Sequence, residues 1–249
     1  MKIRSALVIC IVLVLATVGL GESVVIIPRK TKYNRPKPIQ DYKKWFTIIY
    51  PEVRAATPAL SDKIEAAISY KTVLGLNLKE ELNDVQWLEA ADYEVGYNKN
   101  WILSITLSIE GSGAYPSGTS KAVVVDLKTG TRMKPSDAFT NLPGLLTMVK
   151  KAKAKEVADA IIRIKKDPES RDANPESYFK EAEEYQKLTL NEFSVNAKGV
   201  TFHYDYGFPH VIQAWQPDGE FKFTWKQLKP YIKAAVCSQA WLVKYSTQL

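Results

Sequence analysis

The chain has 249 residues, 46% of them hydrophobic and 24% charged, and carries 34 lysines and arginines against 27 acidic residues, a net charge of +7. That length and apolar content suit one large core or two small ones. Two cysteines, one inside the N-terminal apolar run, exclude an internal disulfide in an exported chain, so packing alone must hold the fold.

Lys2 and Arg4 form a basic start, Ala6 to Leu20 is an apolar run, and Gly19 and Gly21 are small residues at signal-peptidase spacing. Residues 1–21 therefore read as a signal peptide cleaved near Gly21, which sends the chain to the periplasm or outside the cell. The alternative is an uncleaved N-terminal anchor that touches the membrane. Cleavage takes lysine plus arginine from 34 to 32 against 27 acids, a charge of +5, and leaves Cys237 alone. Cys237 reads as a small buried hydrophobe in the last helix. Export also argues against nucleic acid as a partner, whatever the charge would otherwise suggest.

Residues 22–44 hold Arg29, Lys30, Lys32, Arg35, Lys37, Lys43 and Lys44, interleaved with Pro28, Pro36 and Pro38. Proline removes backbone donors and lysine resists burial, so the stretch reads as an extended basic tether. Trp45 to Tyr50 predicts an apolar strand stopped by Pro51. Thr57 predicts a helix cap with Pro58 at the first position, and Leu60, Ile64 and Ile68 fall on one stripe. Tyr93, Val95 and Tyr97 alternate, and Asn98-Lys99-Asn100 turns the chain. Short connections predict antiparallel neighbours without crossover helices.

Trp101, Leu103, Ile105, Leu107 and Ile109 alternate with Ile102, Ser104, Thr106 and Ser108, a period of two that predicts a strand with one apolar face. A glycine-rich loop from Glu110 to Gly118 follows, then a β-branched run from Ala122 to Leu127, turned back by Lys128-Thr129-Gly130. Beyond Asn141 the period becomes helical: Leu142, Leu145, Val149, Ala152, Val157, Ile161 and Ile164 mark a long helix reaching Lys166. Lys150, Lys151, Lys153, Lys155, Lys165 and Lys166 supply much of its polar surface. An acidic helix over Glu176 to Leu188 packs beside it. Phe193 to Asn196 and Val200 to Tyr206 predict a second hairpin, and Phe221, Phe223 and Trp225 alternate in a last strand before a short helix from Lys226.

Several stretches of the chain carry a resemblance. The strand at Trp101, the loop Gly113-Ala-Tyr-Pro116, the run Val124-Val-Asp-Leu-Lys-Thr-Gly130 with Ser136-Asp-Ala-Phe139, and the closing Gly199 to Tyr206 and Phe223 to Tyr231 resemble the C-terminal domain of the anti-sigma-V factor. The region before Trp101 is similar to the non-catalytic N-terminal module of peptidoglycan deacetylase C. The resemblance implies a module over 45–110, a C-terminal domain over 111–249, and lysozyme as the ligand of the best-understood relative. Family members often have histidine where this chain has Tyr115. The fold class read from the pattern is α+β, an antiparallel sheet built from hairpins with helices packed on one face.

The inventory for chemistry is short. His203 and His210 are the only histidines. With Asp205, they compose a candidate metal set with an open position, at no recognised spacing. Ser112 and Ser117 sit in no nucleophile elbow. No cofactor is called for. Three functions stay open. A non-catalytic envelope module would stack Tyr115, Tyr204, Tyr206, Phe208 and Trp215 on a cell-wall polymer or meet an envelope protein. A lysozyme-binding receptor or inhibitor is the second, though two cationic proteins repel. A metal-dependent hydrolase using His203, Asp205 and His210 is the third.

Overall fold

The computed structural model describes residues 22–113, 115–170 and 173–233. Residues 1–21, expected from the sequence to be a signal peptide, and Cys237 lie outside the described residues. Among the described residues no helix is long and apolar enough to cross a membrane.

Six strands follow one another across a large sheet in chain order: β1 (Val25–Asn34), β2 (Trp45–Arg54), β3 (Leu88–Lys99), β4 (Ile102–Ser112), β5 (Pro116–Asp126) and β6 (Thr131–Arg132). Four of the five pairings are antiparallel. The exception is β2 with β3, which run parallel at Thr47–Ala90 and Ile48–Ala91. A parallel neighbour needs a crossover. Here it is made by α1 (Pro58–Ala67), α2 (Tyr70–Leu74) and α3 (Leu78–Asn83), so this part of the chain departs from the expected hairpin-only pattern. Thr57 caps α1 as expected, its Oγ1 accepting from the Leu60 N–H at 3.2 Å. Ile64, Ile68, Tyr70 and Val73 then bury against Leu103, Ile105, Leu107, Val123 and Val125. Beyond Ile48 the inner edge of β2 is completed by side chains instead of a strand. Tyr70 Oη donates to the Ile49 carbonyl at 2.8 Å, and Glu65 Oε1 accepts from the Val53 N–H at 2.7 Å.

The basic N-terminal stretch is not a tether. Its first part is β1, paired with β2 along all ten residues from Val25–Arg54 to Asn34–Trp45. Tyr33 stacks on Phe46 with ring centroids 5.2 Å apart, and Lys32 lies over the Trp45 ring at 4.2 Å. Pro28 faces Pro51, so Pro51 lies inside β2 without stopping it. Two residues without N–H groups can face each other where the ladder asks neither for a donor. Arg35, expected in solvent, has a fully buried side chain. Its guanidinium donates to the carbonyls of Glu81 at 3.1 Å, Leu88 at 2.7 Å, and Lys43, and sits 3.8 Å from the Glu81 carboxylate. Glu81 in turn accepts from the Leu88 N–H at 2.8 Å.

Lys99 pairs with Ile102, leaving Asn100 and Trp101 as a two-residue turn with φ of 56° and 63°. Two positive φ values are the mark of a type I′ hairpin, so Trp101 belongs to the turn and not to the strand. At the other end of β4 the glycine loop is mostly ladder, with Ser112 already opposite Pro116. A Cβ on Gly111 would lie 2.2 Å from the Trp87 carbonyl oxygen, which explains the glycine. The expected boundary between residues 110 and 111 therefore falls inside a strand.

A smaller sheet, β7 (Phe193–Asn196), β8 (Gly199–His203) and β9 (Glu220–Thr224), stands against the other face of the large one. Its apolar side, with Val195, Val200, Phe202 and Phe221, packs with Phe139, which follows the short α4 (Pro135–Ala138), with Leu145, Val149 and Ile164 of α5 (Leu142–Lys166), and with Phe179 of α6 (Pro175–Tyr185). Alternation along β4 sends Leu103 and Ile105 to the first core and Ile102 to this second one. The α+β class stands, with the helices divided: α1 to α3 on the large sheet, α5 and α6 on the small one.

Candidate functional site

A cleft of about 310 Å³ opens where the two sheets meet, between β5 at Lys121 to Val124, Arg132 and Met133, and the segment Gln186 to Phe193. His203, the last residue of β8, faces into it. Its N–H donates to the Glu192 carbonyl at 3.0 Å, and its Nε2 lies 2.8 Å from Ser194 Oγ. Burial holds the imidazole below its ordinary pKa, opposed by the charges of Glu192 and Glu220. The ring is therefore a neutral hydrogen-bonding group near pH 7.

Among the described residues three cations line the cleft, Lys121, Arg132 and Lys187, against one carboxylate, Glu192. That carboxylate is engaged, since Glu192 Oε1 accepts from the Ala122 N–H at 3.3 Å. Arg132 is anchored by its Nε, which donates to the Ala67 carbonyl at 2.6 Å, and burial lowers its pKa. Gln186, Thr189 and Asn191 add neutral polar side chains. Such a lining can receive an anionic or hydroxyl-rich group. The Ser194–His203 contact places a hydroxyl beside a neutral imidazole, but among the described residues no carboxylate hydrogen-bonds that ring to orient it.

The structure buries most of the expected aromatic platform, with Tyr204, Tyr206 and Phe208 packed on one another. Tyr204, Tyr206 and Phe208 are core residues, at 5%, 1% and 7% exposure. β8 ends at His203, and the chain then folds under α6, so the aromatics do not line an open sheet face. Tyr206 packs edge-on to Phe179 at 5.5 Å and donates from Oη to Glu156 at 2.8 Å. Tyr204 donates to the Gln186 carbonyl at 2.7 Å. Trp215 is half-buried, stacked on Tyr178. Only Tyr115 is well exposed, at 63%, and its ring stacks on His210 at 4.5 Å.

The expected metal set also comes apart. His203 is in the cleft, His210 is under Tyr115, and Asp205 Oδ1 accepts from the Gly207 N–H at 2.8 Å. Among the described residues no three His, Cys, Asp or Glu side chains are placed to hold a metal ion. Lys153, expected on the solvated face of α5, is not in solvent. It is buried between α5 and α6, with Nζ 4.0 Å from the Tyr204 ring centroid and 3.7 Å from Glu183 Oε1, and without a hydrogen-bond partner. Burial lowers its pKa and Glu183 opposes that shift. The signal was present: Lys153 continues the stripe of Leu145 and Val149 at i+4. The cleft cations had no such signal, because they come from elements far apart in the chain.

Two solved structures are similar in fold. One is a DUF3298 family protein from Pseudomonas aeruginosa PAO1, 13% identical with a TM-score of 0.52, covering 88% of this chain and 98% of that one. The other is a DUF3298 family member from Bacteroides fragilis NCTC 9343, 12% identical with a TM-score of 0.51, covering 88% and 96%. The chain shares its fold with DUF3298 proteins. At this identity the likeness is one of fold alone. No family model and no curated protein matches the sequence.

Proposed function

We propose that this protein is an exported, non-catalytic envelope module that binds a carboxylate-bearing wall fragment, glycan or peptide, in the cleft between β5 and β7. The observation that carries this is the cleft lining: among the described residues Lys121, Arg132 and Lys187 share it with a single carboxylate, Glu192, that is already bonded to backbone. An anionic group entering there meets positive charge without competing with a free acid. His203, neutral and bonded to Ser194, would add a hydrogen bond. The signal-like residues 1–21 support the envelope location. The resemblance to the anti-sigma-V factor C-terminal domain supports a receptor-type role, in which a secreted protein such as lysozyme would be the ligand. The basic charge of the exported chain opposes that version.

The test is titration of the purified exported chain with wall fragments carrying free or amidated stem carboxylates. Binding of the free acid that weakens on amidation, and again in Lys121→Glu and Lys187→Glu, is the expected result. Equal binding of acid and amide would overturn the reading. Tight binding of lysozyme unaffected by the cleft variants would move the function to another surface.

A further inference from the structure

Among the described residues the outer edge of β5 is left open. β6 covers it only at Val125 and Asp126, so Pro116 to Val124 have a strand partner on one side alone, β4. The direction of the free groups follows from two bonds. The Ala122 N–H points outward to Glu192 Oε1, and the Val124 carbonyl points outward to the Met133 N–H at 2.8 Å. In an antiparallel ladder, the N–H and C=O of one residue face the same side and alternate along the strand. Gly118 and Ser120 therefore point their backbone groups outward too. Among the described residues nothing hydrogen-bonds them. Pro116 through Lys121 are all solvent-exposed.

The opposite edge of the same sheet is guarded. β1 carries Pro28, Arg29, Lys30 and Lys32, the residue types that block edge-to-edge pairing. β5 offers Ser117, Gly118, Thr119 and Ser120, which have neither charge nor bulk to repel a strand. Its open stretch leads directly into the cationic cleft at Lys121, and Glu192 already occupies one of its donors much as a strand carbonyl would.

We infer that an extended peptide docks as an additional strand along Pro116 to Ser120, with an acidic residue reaching Lys121, Arg132 and Lys187 in the cleft. Backbone bonds to Gly118 and Ser120 supply affinity, and the cleft supplies charge selectivity. This rests on the cleft as the binding place and selects peptide over glycan as the ligand class.

The test uses the exported chain and a blocked pentapeptide of alternating threonine and valine ending in glutamate. A copy with alternate backbone nitrogens methylated serves as control. Binding should slow hydrogen exchange of the Gly118 and Ser120 amides, and the methylated copy should lose binding. Ser120→Pro removes an outward donor that the β4 ladder does not use, and should weaken binding about tenfold. Lys121→Glu should weaken it as well. If only Lys121→Glu matters, strand addition is overturned and the cleft reading survives. If only the backbone changes matter, the charge reading fails and the peptide stays on the edge. No binding at millimolar peptide, or a dimer joined through β5 that excludes peptide, overturns the inference.

Discussion

The Val195 N–H donates to Ser104 Oγ at 2.9 Å, a buried bond between residues 91 apart in sequence. It is where the free edge of β7 meets the face of the large sheet. A Cβ on Gly96 would lie 3.3 Å from the Val195 carbonyl, so the two backbones approach closely at the same point. Ser104, at 1% exposure, therefore joins the two sheets. Replacing it with alanine leaves a buried N–H without a partner, which costs about 1–3 kcal/mol. Urea unfolding of Ser104→Ala should show a lowered midpoint with unchanged slope, while Ser108→Ala, in a more exposed position, should stay near wild type.

Arg35 ties the end of β1 to α3 and β3 through three carbonyls and Glu81. Arg35→Ala strands those carbonyls and leaves a buried carboxylate unpaired, a loss of about 3–5 kcal/mol. Arg35→Lys restores the charge but not the planar fork, so it should recover only part of the stability. Thermal unfolding of the two variants checks the order.

Lys153 places an ammonium against Tyr204 and Tyr206 with no hydrogen bond and an ion-pair partner, Glu183, 3.7 Å away, beyond hydrogen-bond distance. A buried charge so weakly compensated costs more than a well-packed thioether in its place. Lys153→Met should stabilise the fold by about 1 kcal/mol, or roughly 2–4 °C in Tm. Glu183→Ala should act in the opposite direction, since it removes the opposing charge. A destabilised Lys153→Met would mean the cation–aromatic contacts outweigh the desolvation.

His203 binds its proton less readily folded than unfolded, because burial lowers its pKa. The unfolded chain then takes up the proton first as pH falls. The stabilising contribution is present above the ordinary value near 6.5 and is lost as pH drops through the lower folded-state value. NMR titration should give a His203 midpoint below 6.5. In His203→Gln, stability should fall less steeply over that window than in the wild type.

The local elements were legible in the residues. Thr57 and Pro58 announced α1, Asn141 and the stripe from Leu145 to Ile164 announced α5, and alternation along Phe193, Val200 and Phe202 announced the second hairpin. These features depend on neighbours within a few positions, where period and capping act. What lay outside local reach was which faces met. The basic stretch at Arg29 to Lys32 pairs as β1 because β2 offers it a full ladder, and Arg35 is buried because three carbonyls from distant segments converge on it. Tyr204, Tyr206 and Phe208 alternate as an open strand face would, yet α6 covers them. The cleft is assembled from Lys121, Arg132, Lys187 and His203, whose separation along the chain gives no pattern. Chain-local periodicity set the strands and helices of this protein; the packing of one sheet's edge on another's face decided which charges were buried, which aromatics were hidden, and where a ligand has room.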